Sequence, residues 1–120
     1  MRIQRKNFSI ERTLSRMRSP RVGAIVAFVG LVRKEDKLRA LNYEVYDEMA
    51  AKQLERIRLE AQKRFKLVRT AIIHRKGRIP VGEKVIIVAC SAPHRKEAFE
   101  ACQWLLSRIK KIVPIWKEEI

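Results

Sequence analysis

The longest apolar run in the chain, Ala24-Ile25-Val26-Ala27-Phe28-Val29-Gly30-Leu31-Val32, closes at Arg33 and restricts the fold more than any other segment. It is rich in β-branched residues and shows no polar alternation, so it reads as a strand buried on both faces or packed in a subunit interface. Gly30 inside it marks a bulge or a close backbone approach. The run falls far short of the ~20 apolar residues that span a bilayer. Residues 1–7 mix charged with apolar side chains, unlike a secretory signal, so a cytoplasmic protein with no membrane partner is expected.

The remaining segments order themselves around that strand. A short strand is expected over Arg2-Ile3-Gln4-Arg5, then a short helix from an N-cap at Ser9 towards Met17, closed by Pro20. After a charged loop at residues 34–37, residues 41–46 return as a strand with Leu41, Tyr43 and Val45 on one face, and a hairpin is the simplest connection. Asp47 is placed to cap a helix reaching about Phe65, with Ala50, Leu54, Ile57 and Ala61 at helical spacing. Residues 68–74 and 84–90 read as paired strands, joined through a turn at residues 78–83 that holds Pro80 and Gly82. A second long helix is expected from about His94 to Val113, with Phe99, Cys102, Leu105, Leu106 and Ile109 as its apolar stripe and Pro114 as its stop. Strands and helices do not alternate one for one, which favours an α+β domain over residues 1–120 with two principal helices.

Charge bears on partners more than on fold. Lys and Arg number 28 against 13 Asp and Glu, a formal net charge of +15, so anionic partners are expected. Three readings fit: a nucleic-acid surface, an anionic small substrate with an acidic protein partner, or a solvated surface. The bases are interleaved with acids over residues 47–64 and aromatic residues make up 7%, which weakens a base-stacking platform. Cys90 and Cys102 are the only cysteines and only His94 lies near either, so no zinc set or disulfide framework is signalled, and both read as small core residues. His74, next to Arg75 in a strand, reads as structural.

No phosphate-binding glycine loop is present, because the glycines stand at 23, 30, 77 and 82. Candidate chemistry is therefore a set of bases at the ends of elements. His94 and Arg95 open the last helix, where free backbone N–H groups favour an anion; the alternative is a surface pair. Lys110 and Lys117, separated by Pro114, are either ordinary solvated lysines or a convergent pair. If brought close and partly desolvated, their charged forms would be disfavoured, and a lysine then becomes a usable base. Trp116 is either an apolar wall beside Lys117 or core.

Several segments together carry a family resemblance. Gly23-Ala24-Ile25-Val26 to Gly30-Leu31-Val32-Arg33, Tyr43-Glu44-Val45-Tyr46-Asp47-Glu48-Met49-Ala50, Ile73-His74-Arg75-Lys76-Gly77 with Val81-Gly82-Glu83, Ser91-Ala92-Pro93-His94-Arg95-Lys96-Glu97-Ala98-Phe99-Glu100-Ala101-Cys102, and Val113-Pro114-Ile115-Trp116-Lys117-Glu118-Glu119 occur in the order found in the large, catalytic subunit of molybdopterin synthase. The sequence from about Gly23 to Glu119 resembles that family. The resemblance implies an α/β-hammerhead type of α+β fold and a homodimer within a heterotetramer. It implies a small ubiquitin-like sulfur-carrier subunit whose C-terminal Gly-Gly thiocarboxylate enters the site, and cyclic pyranopterin monophosphate as the substrate that receives two sulfurs. By the same resemblance Lys110 and Lys117 are catalytic, Arg33, His94 and Arg95 line the pterin and phosphate pocket, and neither a metal nor a cofactor is required. Family members commonly continue beyond the Trp-Lys-Glu-Glu segment, whereas this sequence stops at Ile120, and the loop after Arg33 lacks a glycine often found there. Two rival functions remain at this point, a basic nucleic-acid-binding module with no nucleic-acid recognition element in its sequence, and a non-catalytic scaffold for a ubiquitin-like protein.

Overall fold

A computed structural model describes residues 2–120. The elements run β1 (Arg2–Gln4), α1 (Ile10–Arg16), β2 (Ala24–Leu31), β3 (Ala40–Val45), α2 (Asp47–Arg64), β4 (Arg69–Arg75), β5 (Gly77–Pro80), β6 (Lys84–Ala92), α3 (Arg95–Ile112) and β7 (Ile115–Glu119). They form two sheets, one of four strands in the order β1-β4-β6-β2 and one of three in the order β5-β3-β7. The α+β expectation of hammerhead type holds, with two helices of 18 residues and one of seven.

Helix α2 buries Ala50, Leu54, Ile57 and Ala61, and α3 buries Ala98, Ala101, Cys102, Leu105 and Ile109. Both stripes press on β4 and β6, where Ile72, Val88 and Cys90 are fully buried, and close the main core. Each large aliphatic side chain so buried contributes about 1.5–3 kcal/mol. Phe99, expected in the α3 stripe, is instead 61% exposed. The contact line runs through positions 98, 101, 102, 105 and 109, and Phe99 stands a further ~100° round the helix from Ala98. Ser9 caps α1 as expected, its side chain accepting from the Arg12 N–H. Asp47 does not cap α2. The cap position is Tyr46, without a side-chain bond, and the Asp47 carboxylate instead accepts from Lys76 Nζ at 2.7 Å.

The expected hairpin between β2 and β3 does not form. β2 pairs antiparallel with β6, while β3 pairs with β5 and β7 in the other sheet. The long intervening segment carries the chain from one sheet to the other, and its start is held by the N–H of Val32 donating to the Glu83 carbonyl. A matching corner joins β4 to β5. Gly77 turns it at φ +88°, and a Cβ there would meet Arg5 Nη1 at 2.7 Å. Residues 78–80, expected as part of a turn, instead belong to β5, whose Ile79 is fully buried, and only residues 81–83 turn. Pro80 is tolerated because β5 is an edge strand. The three-stranded sheet covers a second, small core of Val32, Leu41, Ile79 and Val85. The expected pairing of β4 with β6 is present, and it is antiparallel.

β2 is not buried on both faces. It is an edge strand, with Phe28 41% and Leu31 59% exposed, so the first of the two readings of its apolar sequence does not hold.

Candidate functional site

At the Phe28–Leu31 end of β2 the two sheets diverge and leave an open cavity of about 460 Å³. Its apolar wall includes Phe28, Leu31 and Leu41, and its charged rim is Arg33 and Lys117 with the carboxylates of Glu35 and Glu119. Lys117 arrives there because β7 is antiparallel to β3, in a register that sets Lys117 opposite Tyr43. Arg33 arrives because it follows β2 directly. Side chains from three separate stretches thus share one recess.

Arg33 donates from Nη2 to the Glu35 carboxylate, and this hydrogen bond, then the Arg33 charge, holds the Glu35 carboxyl below the usual range, with Lys117 adding to the effect. Glu35 occupies the place an anionic ligand of Arg33 would take. Behind the cavity His74 is buried, its Nδ1 at 2.7 Å from the Arg75 carbonyl, and burial lowers its pKa so that the ring is neutral. Its structural reading stands. Tyr43 packs edge-on against that ring, with centroids 5.4 Å apart, and burial raises the phenol's pKa.

The other expected site residues lie elsewhere. Lys110 is exposed on the last turn of α3 and does not line the cavity. His94 is the exposed cap position of α3 and Arg95 its first residue, at the helix end opposite Lys110. Ala24 pairs with Ala92, so His94 and Arg95 stand at the start of β2, whereas the cavity stands at its end. At ~3.3 Å per residue those two ends are roughly 23 Å apart. Within one chain the structure brings together Arg33 and Lys117 and does not add His94, Arg95 or Lys110. A wider groove of about 860 Å³ between α1 and β2, lined by Arg12, Arg18, Ile25 and Ala27 among others, contains none of the expected site residues.

Sequence reasoning missed Tyr43, Glu35 and Phe28 as lining residues. The strand face shared by Leu41, Tyr43 and Val45 was legible, but its pairing with the strand of Lys117 was not. Both cysteines are buried, and the hydrogen bond with Cys102 together with burial pushes the Cys90 thiol up, which suits packing and not nucleophilic chemistry. No group of three or more His, Cys, Asp or Glu among the described residues is placed to hold a metal. No helix among them is long and apolar enough to cross a membrane.

The chain is thus a two-sheet α+β protein with a charged recess, Arg33 and Lys117 beside Glu35 and Glu119, assembled from separate strands. The chain belongs to the MoaE protein family, which matches residues 3–112. A molybdopterin synthase catalytic subunit from Pyrococcus abyssi is 49% identical over 118 residues, covering 96% of this chain and 80% of the relative. The crystal structure of molybdopterin synthase from Staphylococcus aureus superposes with a TM-score of 0.92 at 37% identity, over 98% of this chain and 88% of that one. A complex of subunits 1 and 2 of molybdopterin-converting factor from Helicobacter pylori contains a chain of the same fold, with a TM-score of 0.84 at 24% identity, over 98% of this chain and 83% of that one.

Proposed function

We propose that this chain is the catalytic subunit of a molybdopterin synthase, a sulfurtransferase that moves sulfur from the C-terminal thiocarboxylate of a small ubiquitin-like carrier to cyclic pyranopterin monophosphate. The observation that carries the reading is the convergence of Arg33 and Lys117 on an open, apolar-walled cavity at the junction of the sheets. A thiocarboxylate is already a nucleophile. The protein therefore has to position it, neutralise phosphate charge, transfer protons and stabilise oxyanions, and cationic side chains do this without a metal. Arg33 takes the phosphate in exchange for Glu35 and Lys117 serves the reacting end, while a general acid/base role for Lys110, exposed on the last turn of α3 and outside the cavity, rests on the family resemblance alone.

His94 and Arg95 join the same site from a second copy. β2 is an exposed apolar edge, and such edges are covered or paired. If two copies pair along β2 in the antiparallel sense, the Ala24 end of one lies beside the Leu31 end of the other. That places the His94 and Arg95 of one copy next to the Arg33 and Lys117 of its partner. The homodimer then completes two sites, and a carrier at each makes a heterotetramer.

The decisive assay mixes the protein with thiocarboxylated carrier and the cyclic pterin and follows the fluorescent oxidised product. Absence of conversion by a folded, dimeric protein removes the reading. The shared site has its own test. His94→Ala and Lys117→Ala proteins, each inactive, are co-expressed so that dimers form at random. Half of the dimers are then mixed and each has one intact site, so activity should recover to about a quarter of the wild-type level. No recovery would show that each site is built within one chain.

A further inference from the structure

The cavity holds one more proton-bearing group with no role so far. Tyr43 stands directly across from Lys117, and residues paired across antiparallel strands project to the same face. Both line the cavity. The ring is held from behind by the buried His74, edge-on at 5.4 Å and 65° between planes, and its body packs on the small core of Leu41 and Ile79. His74 is itself fixed, its Nδ1–H donating to the Arg75 carbonyl at 2.7 Å. The phenol is thus preorganised, half-buried and uncharged.

We propose that the Tyr43 hydroxyl is a catalytic hydrogen-bond donor, directed at the acyl oxygen of the carrier's C-terminal residue. This rests on the sulfur-transfer reading above. Once the carrier's sulfur has bonded to a pterin carbon, carrier and pterin are joined as a thioester. Water then adds to the acyl carbon. A C–O bond forms as the carbonyl electron pair moves onto oxygen, and collapse breaks the C–S bond. The sulfur stays on the pterin as a thiolate, the carrier leaves as a carboxylate, and the two protons of the water pass to bases of the site and to solvent. The developing oxyanion is where a preorganised donor acts most strongly. A neutral donor suits this place better than another cation. A cation would hold the starting thiocarboxylate as firmly as the oxyanion, and equal binding of ground and transition states does not raise kcat.

The test is Tyr43→Phe in the full chain, assayed with thiocarboxylated carrier and cyclic pyranopterin monophosphate beside the wild type. The ring and its contact with His74 are retained, so the melting temperature should stay within about 2 °C, while kcat falls about a hundredfold and KM for the pterin stays within about twofold. A wild-type protein that converts the pterin, beside a Tyr43→Phe protein with equal kcat, overturns the proposal and leaves the sulfur-transfer reading intact. A change confined to KM, or a fall in activity matched by loss of folded protein, also overturns it and assigns Tyr43 to binding or packing. A wild type that forms no product overturns both.

Discussion

Gly23 precedes β2 and has no room for a side chain, so Gly23→Ala tests the packing that holds the start of the edge strand. A Cβ at this position would lie 2.2 Å from the Pro93 carbonyl oxygen, a backbone atom that no rotamer change can move. Relief requires the two segments to part by about 1 Å, and this strains the hydrogen bond from the Gly23 N–H to the Ala92 carbonyl, now 3.0 Å. Overpacking costs about 1–3 kcal/mol and a weakened hydrogen bond about 1 kcal/mol, for a total of roughly 2–4 kcal/mol. Unfolding entropy for a domain of this size converts each kcal/mol into about 4 °C, so the melting temperature should fall by roughly 8–16 °C. Differential scanning calorimetry of both proteins at one concentration and pH measures it. Gly82→Ala is the control, since Gly82 has open space around it and φ +91°, and should lose only about 1–2 kcal/mol from backbone strain. A Gly23→Ala protein melting within about 2 °C of the parent would refute the close approach of residue 23 to Pro93. The same substitution displaces the segment leading to His94, so pterin conversion should fall beyond the loss of folded protein.

Replacing either proposed catalytic lysine, Lys110→Ala or Lys117→Ala, should lower steady-state conversion by about a hundredfold or more, as loss of an acid/base group does, and near-normal turnover in both would remove their assignment. Acid should weaken the fold through His74. Burial lowers its pKa in the folded chain, so below about pH 6.5 the unfolded chain binds a proton that the folded chain refuses. The stability present above about pH 6.5 is lost as pH falls from there towards the folded pKa. Melting temperatures measured at several points between pH 7.5 and 5 should decline in the wild type and decline less in His74→Phe, and parallel curves would exclude this origin.

Much of the fold was legible from periodicity. The stripe of Ala50, Leu54, Ile57 and Ala61, the cap at Ser9 and the stop at Pro114 all follow from local rules that the tertiary structure leaves in force. The partition of strands between two sheets was not legible, because it depends on which strand meets which across long stretches of sequence. A turn reading of residues 78–83 followed Pro80 and Gly82, but the burial of Ile79 converts half of that segment into a strand. The site divides in the same way. The functional assignments of Arg33, Lys110, Lys117, His94 and Arg95 come from family likeness, because abundant surface bases carry no signature of their own. Tyr43 escaped notice because its importance arises from register with Lys117, and register is set by a pairing far away in sequence.

The two sheets are unequal in what anchors them. Among the described residues, fifteen buried side chains form the core of the large sheet and its helices and four that of the small one, yet the small sheet carries both Tyr43 and Lys117. Its backbone amides should exchange with deuterium well before those of β4 and β6, since local opening there exposes little apolar surface. If the proposed carrier delivers its chain end to this cavity, a slight yielding of the thin flap would admit it while the thick slab beneath keeps its shape.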